Sequence, residues 1–348
     1  METSKPPIKV LYIAGWGRSG STILDNILGQ LDGFCTIGEF ADFATEFYHS
    51  TNKGLDRLCG CGARVQECSL WQEVMTRALG AVPTADDWKR IYSLAQKVGR
   101  TRYIPLIGSS LGRKLIAKRV TAFSTMLGQL YLAVKAVTGA DIIVDSSKTA
   151  SHGELLLTSG VCQLYVVHLI RDPRACAYSW RRKKPDGTGP GAYMGREGIL
   201  KSTAMCVATH LAIEQMLMKK AERYMKIRYE DFIEQPRRTV EAILEMLDVA
   251  QRPPFVSDNA VQLRPVHCLS GNPSRFKRGI VTLAKDEEWR TKMTPLDRLK
   301  ATAVSLPLLW KYGYDRSGWS ARRFLVPTFK EPTVTTKEKP ALEQSRTI

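Results

Sequence analysis

Residues 15–22 form the first segment of the chain that could do chemistry. They read Gly-Trp-Gly-Arg-Ser-Gly-Ser-Thr and follow an apolar run at residues 9–14. Glycines let successive backbone N–H groups converge on an anion, and a helix that begins at Ser21 directs the positive end of its dipole to the same point. Arg18 adds a cation within the turn. We therefore predict that the segment binds a phosphate-like group, although a glycine turn can also simply join a strand to a helix.

The spacing of this segment matches the nucleotide-binding P-loop frame, Gly-x-x-x-x-Gly-Lys-[Ser/Thr], with one difference. Ser21 occupies the lysine position, and the cation is Arg18, inside the loop. A kinase or NTPase with this loop would lack the lysine that reaches its phosphates, and the sequence offers no clear metal-binding Asp after a strand. A P-loop kinase or NTPase is therefore the alternative function.

Arg171 and Ser179 could form a second anion site, because the apolar run at residues 164–170 leads into Arg-Asp-Pro and then into a helical pattern. Arginine offers a planar fork to phosphate oxygens, and a serine hydroxyl adds a short hydrogen bond. An Arg-Asp-Pro turn on its own is usually structural. The segment becomes informative only beside the first loop.

Together, these segments resemble sulfotransferases that use 3′-phosphoadenosine 5′-phosphosulfate (PAPS), and most of all the bacterial carbohydrate and small-molecule enzymes. The resemblance implies that PAPS is the co-substrate, that it is released as PAP, and that the reaction requires no metal. Arg18 is then expected to neutralise the leaving oxygen, and Arg171 and Ser179 to bind the 3′-phosphate. The 5′-phosphosulfate is expected to contact Ser19, Gly20, Ser21 and Thr22.

Two later segments agree with the resemblance. Tyr229, in Tyr-Glu-Asp, is similar to the family element whose tyrosine lies near the adenine, and residues 271–279 resemble the late basic loop that closes over the 3′-phosphate. The matching residues of that loop are Arg275, Lys277, Arg278 and Gly279. Taken singly, these segments could be a capped helix start and a basic surface turn. The matches span residues 10–290 in the order that the family has.

Two residues could be the base that takes the proton of the acceptor hydroxyl as the acceptor attacks in line. Glu39 stands where the bacterial carbohydrate enzymes carry a Gly-Glu pair. His152 lies two residues after Ala150, which occupies the position of the catalytic histidine in the cytosolic branch of the family. This departure favours Glu39 over His152. Lys148 is expected to contact the sulfuryl oxygens or the acceptor.

The elements that must position these residues alternate between strands and helices. Apolar runs predict strands at residues 9–14, 141–144, 164–170 and 224–228, and helical patterns follow at 21–31 and 238–247. This order predicts a three-layer α/β fold with a mainly parallel sheet and P-loop NTPase-like topology, with ligands at the carboxyl ends of the strands. We expect one sulfotransferase domain at residues 1–325, with an inserted helical cap at about 70–138, and a disordered tail at 326–348.

The formal net charge of +17 favours an anionic ligand. A basic nucleic-acid binding module is a further alternative, but basic and aromatic residues are not interleaved on a recognisable platform, so we expect no nucleic-acid partner. The acceptor is expected to be a hydroxyl of a small molecule, a carbohydrate or a lipid. The sequence leaves open whether the chain forms a homodimer.

The N-terminus lacks the pattern of a signal peptide, and the longest apolar stretch, at residues 155–170, is short for a membrane span. We therefore expect a cytoplasmic protein with no membrane span and with reduced thiols. Cys59, Cys61 and Cys68 are the densest group of the eight cysteines. Buried thiols are preferred over a zinc site there, because no fourth ligand with suitable spacing follows.

Overall fold

A parallel sheet forms the centre of the protein. The computed structural model describes residues 7–99, 110–187 and 193–314. The strands of the main sheet are β1 (Ile8–Gly15), β2 (Phe34–Gly38), β3 (Ile142–Lys148), β4 (Cys162–Ile170) and β5 (Arg223–Arg228). They lie in the order β2-β3-β1-β4-β5, and every neighbouring pair is parallel. Two further strands, β6 (Ala260–Leu263) and β7 (Gly279–Thr282), pair with each other as a separate antiparallel hairpin.

Helices cover both faces of the sheet. They are α1 (Ser21–Leu28), α2 (Phe43–Lys53), α3 (Ser69–Leu79), α4 (Ala85–Val98), α5 (Ser110–Thr138), α6 (Ala150–Ser159), α7 (Pro173–Arg181), α8 (Ile199–Met216), α9 (Tyr229–Glu234), α10 (Pro236–Met246), α11 (Glu288–Lys292) and α12 (Pro295–Lys311). Short 3-10 turns lie at Phe40–Asp42 and Pro273–Phe276.

The central strand β1 is buried on both sides. Val10 and Tyr12 belong to the core under α5 and α6, whereas Leu11 and Ile13 belong to the core under α1 and α10. A strand whose two faces both meet helices has an almost continuous apolar sequence, because neither set of alternating side chains reaches water. The predicted three-layer α/β architecture is confirmed.

The predicted strands coincide with β1, β3, β4 and β5, but β2 and the β6–β7 hairpin were missed. The first helix also ends earlier than predicted, at Leu28 and not at residue 31. Gly29 ends it: the Gly29 N–H still bonds to the Asp25 oxygen, 2.9 Å away, while a Cβ on Gly29 would lie 2.7 Å from Thr36 of β2. The close approach of β2 therefore leaves no room for a side chain at residue 29.

The predicted helical cap lies between β2 and β3, where α3, α4 and α5 occur; residues 100–109 of the predicted stretch lie outside the described residues. Thr84 begins α4 with a reciprocal pair of hydrogen bonds to Asp87, which satisfies N–H groups that the helix start would leave free. On the buried side, the Trp88 ring stacks on Phe47 with centroids 4.5 Å apart. The predicted tail, at residues 326–348, also lies outside the described residues.

One helical segment in the described part of the chain, Ile116–Thr138 within α5, is long and apolar enough to cross a membrane by length and composition alone. Nearly half of its most apolar window, 44%, is buried inside the protein. Tyr131 on this segment donates a hydrogen bond to Asp145 of β3. The helix therefore packs against the sheet as a core element does.

Candidate active site

The loop between β1 and α1 is shaped by the close packing of its glycines. A Cβ on Gly15 would lie 2.5 Å from the backbone oxygen of Leu169 in β4, so no larger residue fits there. Gly20 has a φ of +88°, and its Cβ would lie 2.6 Å from the Tyr229 ring. In the part of the chain that the structure describes, no side chain caps α1. The first N–H groups of the helix are therefore left to bind an anion.

Arg18 leaves this loop from a strained backbone position. Its φ of 72° lies in the left-handed region, which non-glycine residues seldom adopt. The guanidinium carbon lies 4.8 Å from the centre of the Trp180 ring, and the group donates hydrogen bonds to the Met194 sulfur and the Gly195 oxygen. Burial lowers the pKa of Arg18. Such strain is concentrated at functional sites, which supports a role for this cation in the chemistry.

The hydroxyl groups of the loop are almost completely buried. Ser21 and Thr22 line the cavity that begins at this loop, together with Gly20. Thr22 Oγ1 accepts a hydrogen bond from the Asn272 N–H, 3.3 Å away, and thereby joins the loop to the late basic segment. Ser19 is fully buried behind the loop, and its hydroxyl has no hydrogen-bond partner among the described residues.

The two predicted anion sites are called anchors below: the first is the loop at residues 15–22, and the second is Arg171 with Ser179. They are in direct contact. Arg171, at the end of β4, donates from Nη1 to the backbone oxygen of Arg18, 2.9 Å away. Its Nη2 donates to the backbone oxygen of Asp286, 2.8 Å away, and its guanidinium carbon lies 4.4 Å from the centre of the Tyr229 ring. Ser179, two turns along α7, is buried and lines the same cavity. The predicted residues of both anchors are thus brought together.

Asp286 was missed by sequence reasoning. Its carboxylate lies 3.4 Å from Arg171 and 2.7 Å from Arg182. Burial opposes ionisation of this carboxyl, yet the two arginines hold its pKa below the usual range. Asp286 therefore helps to fix the Arg171 guanidinium at the cavity wall.

The cavity at these anchors measures about 750 Å³ and is strongly cationic. Its basic lining residues are Arg18, Arg57, Lys148, Arg171, Lys184 and Lys277, against the acidic Glu39 and Asp186. Burial, followed by the neighbouring Arg182, lowers the pKa of Lys184. Crowded, partly desolvated cations of this kind are stabilised by a ligand with several negative charges.

Another part of the same cavity is apolar. Ile23 of α1, Ile233 of α9, and Val281 and Leu283 at the β7 strand line it, close to the Tyr229 ring. None of these four aliphatic residues was among the residues predicted to bind the ligand. Polar and apolar walls in one cavity suit a ligand that carries both phosphates and a planar base.

The late basic loop lines this cavity through Gly271, Asn272, Ser274 and Lys277, of which only Lys277 was predicted. Lys277 is part of the described lining, whereas Arg275, Arg278 and Gly279 are not. Arg275 donates to the Gly271 oxygen at 2.7 Å, and Arg278 donates to the oxygens of Arg275 and Lys277, each at 2.8 Å. Two of the predicted phosphate ligands thus bind backbone carbonyls and hold the loop in its shape.

Glu39 and Lys148 form an ion pair at the carboxyl ends of β2 and β3. Lys148 has a φ of 70°, so a second cation of the site stands in the left-handed region. The Glu39 N–H bonds to the Leu269 oxygen, 2.8 Å away, which fixes the backbone before the side chain. Both residues line the cationic cavity and also a second cavity beside it.

His152, the other candidate base, lies deeper. Its Nε2 is 3.2 Å from Asp145 Oδ2, and its ring is almost completely buried beside Tyr12. His152 lines the second cavity but not the cationic one among the described residues. Glu39 is therefore the candidate that faces both spaces.

The second cavity measures about 660 Å³ and exposes mainly apolar surface. The inserted helices supply much of its wall, through Tyr92, Ala95 and Gln96 of α4 and Phe123 of α5. Trp16, from the glycine-rich loop after β1, also lines this second cavity. The two cavities share four lining residues, which are Gly17, Glu39, Lys148 and Trp180.

Three of the cysteines lie in a cluster that could hold a metal ion. Cys59, Cys61 and Cys68 are joined by His267, and the four ligand atoms lie within 4.8 Å of one another. Sequence reasoning missed His267, because it stands 199 residues after Cys68.

Comparison with a solved structure gives the same fold. The chain resembles the sulfotransferase domain from the curacin biosynthetic pathway at 17% identity and a TM-score of 0.50, over 87% of this chain and 98% of that domain. It also matches a sulfotransferase from Mycobacterium avium at 12% identity and a TM-score of 0.44, over 90% of this chain and 79% of that protein.

No curated protein sequence matches this chain. The model of the sulfotransferase family matches residues 11–253, which include both anchors, the Glu39–Lys148 pair and the inserted helices. The chain therefore belongs to the sulfotransferase family.

Proposed function

We propose that this sulfotransferase uses PAPS as its donor and transfers the sulfuryl group to a hydroxyl of a small-molecule, carbohydrate or lipid acceptor by in-line displacement. The observation that carries the proposal is a pair of adjoining cavities, one cationic and one mainly apolar, that share Glu39 and Lys148. A donor with two phosphate groups suits the first, and an organic acceptor suits the second.

The cationic cavity offers separate contacts for the two ends of the donor. In this proposal the loop N–H groups, Ser21 and Thr22 hold the 5′-phosphosulfate, while Arg171 and Ser179 hold the 3′-phosphate. The hydrogen bond of 2.9 Å from Arg171 to the Arg18 oxygen keeps the two contacts in a fixed relation. This preorganisation favours a nucleotide that is phosphorylated at both positions over ATP.

The residues at the junction and next to it have separate roles in the proposed reaction. Glu39 takes the proton of the acceptor hydroxyl, and Lys148 stabilises the negative charge on the sulfuryl oxygens. Arg18 stabilises the charge that develops on the leaving phosphate oxygen. His152 stays the second candidate base, because it also lines the acceptor cavity.

The acceptor proposal rests on the walls of the second cavity. Aromatic side chains such as Tyr92 and Phe123 and the mainly apolar surface favour an acceptor with a hydrophobic body and a hydroxyl group. Because α4 and α5 supply these walls, we propose that the inserted helices set the choice of acceptor. A cytoplasmic location is also part of the proposal.

A thermal-unfolding comparison tests the donor. PAP without metal, at a hundredfold excess over its Kd, should stabilise the protein by about 2.7 kcal/mol, and ATP with magnesium should have little effect. Stabilisation by magnesium ATP and not by PAP would contradict the proposal and favour a kinase or NTPase. A salt-sensitive shift of oligonucleotides would favour a nucleic-acid binding module instead.

The acceptor can be identified without a prior guess. The purified protein is incubated with radiolabelled PAPS and an extract of its source cells, and the labelled product is identified by mass spectrometry. A labelled hydroxyl sulfate that Tyr92→Ala protein forms more slowly would support the second cavity as the acceptor site.

A further inference from the structure

Four side chains that can bind a metal converge outside the two cavities. Cys59 and Cys61 lie in a turn that follows α2, Cys68 immediately precedes α3, and His267 comes from the segment after the β6 strand. Cys68 Sγ is 3.2 Å from His267 Nδ1, Cys59 Sγ is 4.0 Å from the same nitrogen, and Cys61 Sγ is 3.9 Å from Cys68 Sγ. We propose that Cys59, Cys61, Cys68 and His267 bind one structural zinc ion.

The distances agree with tetrahedral zinc. Bond lengths of about 2.3 Å to sulfur and 2.0–2.1 Å to nitrogen place two sulfurs about 3.8 Å apart and a sulfur and a nitrogen about 3.6 Å apart. The measured separations of 3.9, 4.0 and 3.2 Å lie around these values. A disulfide between Cys61 and Cys68 would need sulfurs about 2.05 Å apart, so it does not explain the cluster.

The ligand set selects the kind of metal. Three thiolates and one imidazole are soft and borderline donors, which favour zinc over calcium or magnesium. The set also fills the four positions of a tetrahedral ion, so no position is left for a reacting water. The proposed ion is therefore structural, because it has no open position at which to take part in the sulfuryl transfer.

The backbone around the cysteines is folded to present them. The Cys59 N–H bonds to the Ala63 oxygen at 2.8 Å, and the Gly62 N–H bonds to the Cys59 oxygen at 2.9 Å, which makes a tight turn. Gly62 has a φ of +100°, and Gly60 lies so close to the next segment that a Cβ there would be 2.5 Å from Cys268 Sγ. Glycines thus make room for the turn that brings the thiols together.

The ion would connect distant parts of the chain at a point that supports the active site. The Gly60 N–H bonds to the Cys268 oxygen at 2.8 Å, while the next residue, Leu269, receives the Glu39 N–H at 2.8 Å and donates to the Ile37 oxygen at 2.9 Å. The segment that carries His267 is thus hydrogen-bonded to the backbone that positions Glu39.

The same turn also supports the late basic loop. Arg278 donates to the Gly60 oxygen, and Arg275 donates to the Leu58 oxygen at 3.5 Å. Loss of the ion would loosen both the cysteine turn and the loop that bears Lys277. Removal of the metal should therefore lower stability and weaken nucleotide binding together.

Elemental analysis of the full chain, purified without chelator, tests the inference. We expect one zinc per chain in the wild type, and strongly reduced zinc in Cys61→Ser and His267→Ala proteins. Cys61 is half-buried, so its substitution by the smaller serine should not disturb the packing of the core. Cys35→Ser is the matched control, because Cys35 is also a half-buried free thiol but lies in β2, outside the cluster, and its zinc content should equal that of the wild type.

Cobalt substitution of the wild type supplies a second measurement that does not depend on the folding of variants. Tetrahedral cobalt with three thiolate ligands should give strong visible bands and a thiolate charge-transfer band, and added zinc should remove them. Wild-type protein with no more zinc than the Cys61→Ser variant, and without these bands, would overturn the inference. Because neither readout involves PAPS, failure here leaves the proposed donor unaffected, and the reverse also holds.

Discussion

The substitution Arg171→Ala isolates the proposed 3′-phosphate contact when the affinity for PAP is compared with the affinity for 5′-AMP. The two nucleotides share the adenosine and the 5′-phosphate, and only PAP has the 3′-phosphate. Arg171 also donates a hydrogen bond to the Arg18 backbone oxygen, so its removal should disturb the loop and lower the affinity for both nucleotides. The difference between the two losses therefore measures the contact to the 3′-phosphate.

The expected size follows from the surroundings of Arg171. A charge-assisted hydrogen bond contributes about 1.5–3 kcal/mol, so PAP should lose roughly 10- to 150-fold more affinity than 5′-AMP. Asp286 should not be left as an unpaired charge, since Arg182 lies 2.7 Å from it and remains. The protein should stay folded for that reason, and titration calorimetry can measure both ligands.

Arg181→Ala is the matched control. Arg181 is on the same helix as Ser179, its side chain is 52% exposed, and it pairs with Asp297 away from the cavity lining. Its removal should change neither affinity. Equal losses of PAP and 5′-AMP in the Arg171→Ala protein would refute the assignment, because Arg171 would then only support the loop.

Two further outcomes are expected. Glu39→Gln should lower turnover by roughly 10²- to 10⁴-fold with PAP binding retained, because the amide cannot take the proton of the acceptor hydroxyl. If the Glu39→Gln protein keeps its turnover and the His152→Ala protein loses it, His152 is the base. Burial raises the pKa of Asp25 to about 7, so between about pH 4 and pH 7 the native state keeps a proton that the unfolded state has lost, and the free energy of unfolding falls as pH rises. Asp25→Asn should remove up to about 4 kcal/mol of this decrease in the free energy of unfolding. Urea unfolding at pH 4 and at pH 7 measures the decrease in both proteins. The same pH dependence in the wild type and the variant would contradict the prediction.

Those features of the site that depend on neighbouring residues in the chain were predictable from the sequence. The turn from Gly15 to Gly20 follows directly on a buried strand, so its spacing already implies converging N–H groups. Arg171 follows its own strand in the same way. Parallel strands place their carboxyl ends at one edge of the sheet, which is why ligands were expected at that edge.

Features that depend on contacts between distant segments could not be predicted in this way. His267 reaches the cysteines only because the segment after β6 returns to the turn after α2. Val281 and Leu283 line the cavity because a short hairpin packs against α1, and four-residue strands give little periodic signal. The supporting role of Arg275 was hidden for the same reason, because a basic residue looks alike in sequence whether it meets a phosphate or a backbone carbonyl.

The division of the site at Glu39 and Lys148 has a stereochemical consequence. With the proposed donor in the cationic cavity and the acceptor in the apolar one, the attacking hydroxyl and the leaving phosphate oxygen lie on opposite sides of sulfur. One direct displacement then reverses the configuration at that atom. A sulfuryl group made chiral with oxygen isotopes should therefore arrive on the acceptor inverted. Retention would require two successive displacements and a sulfated residue of the protein between them.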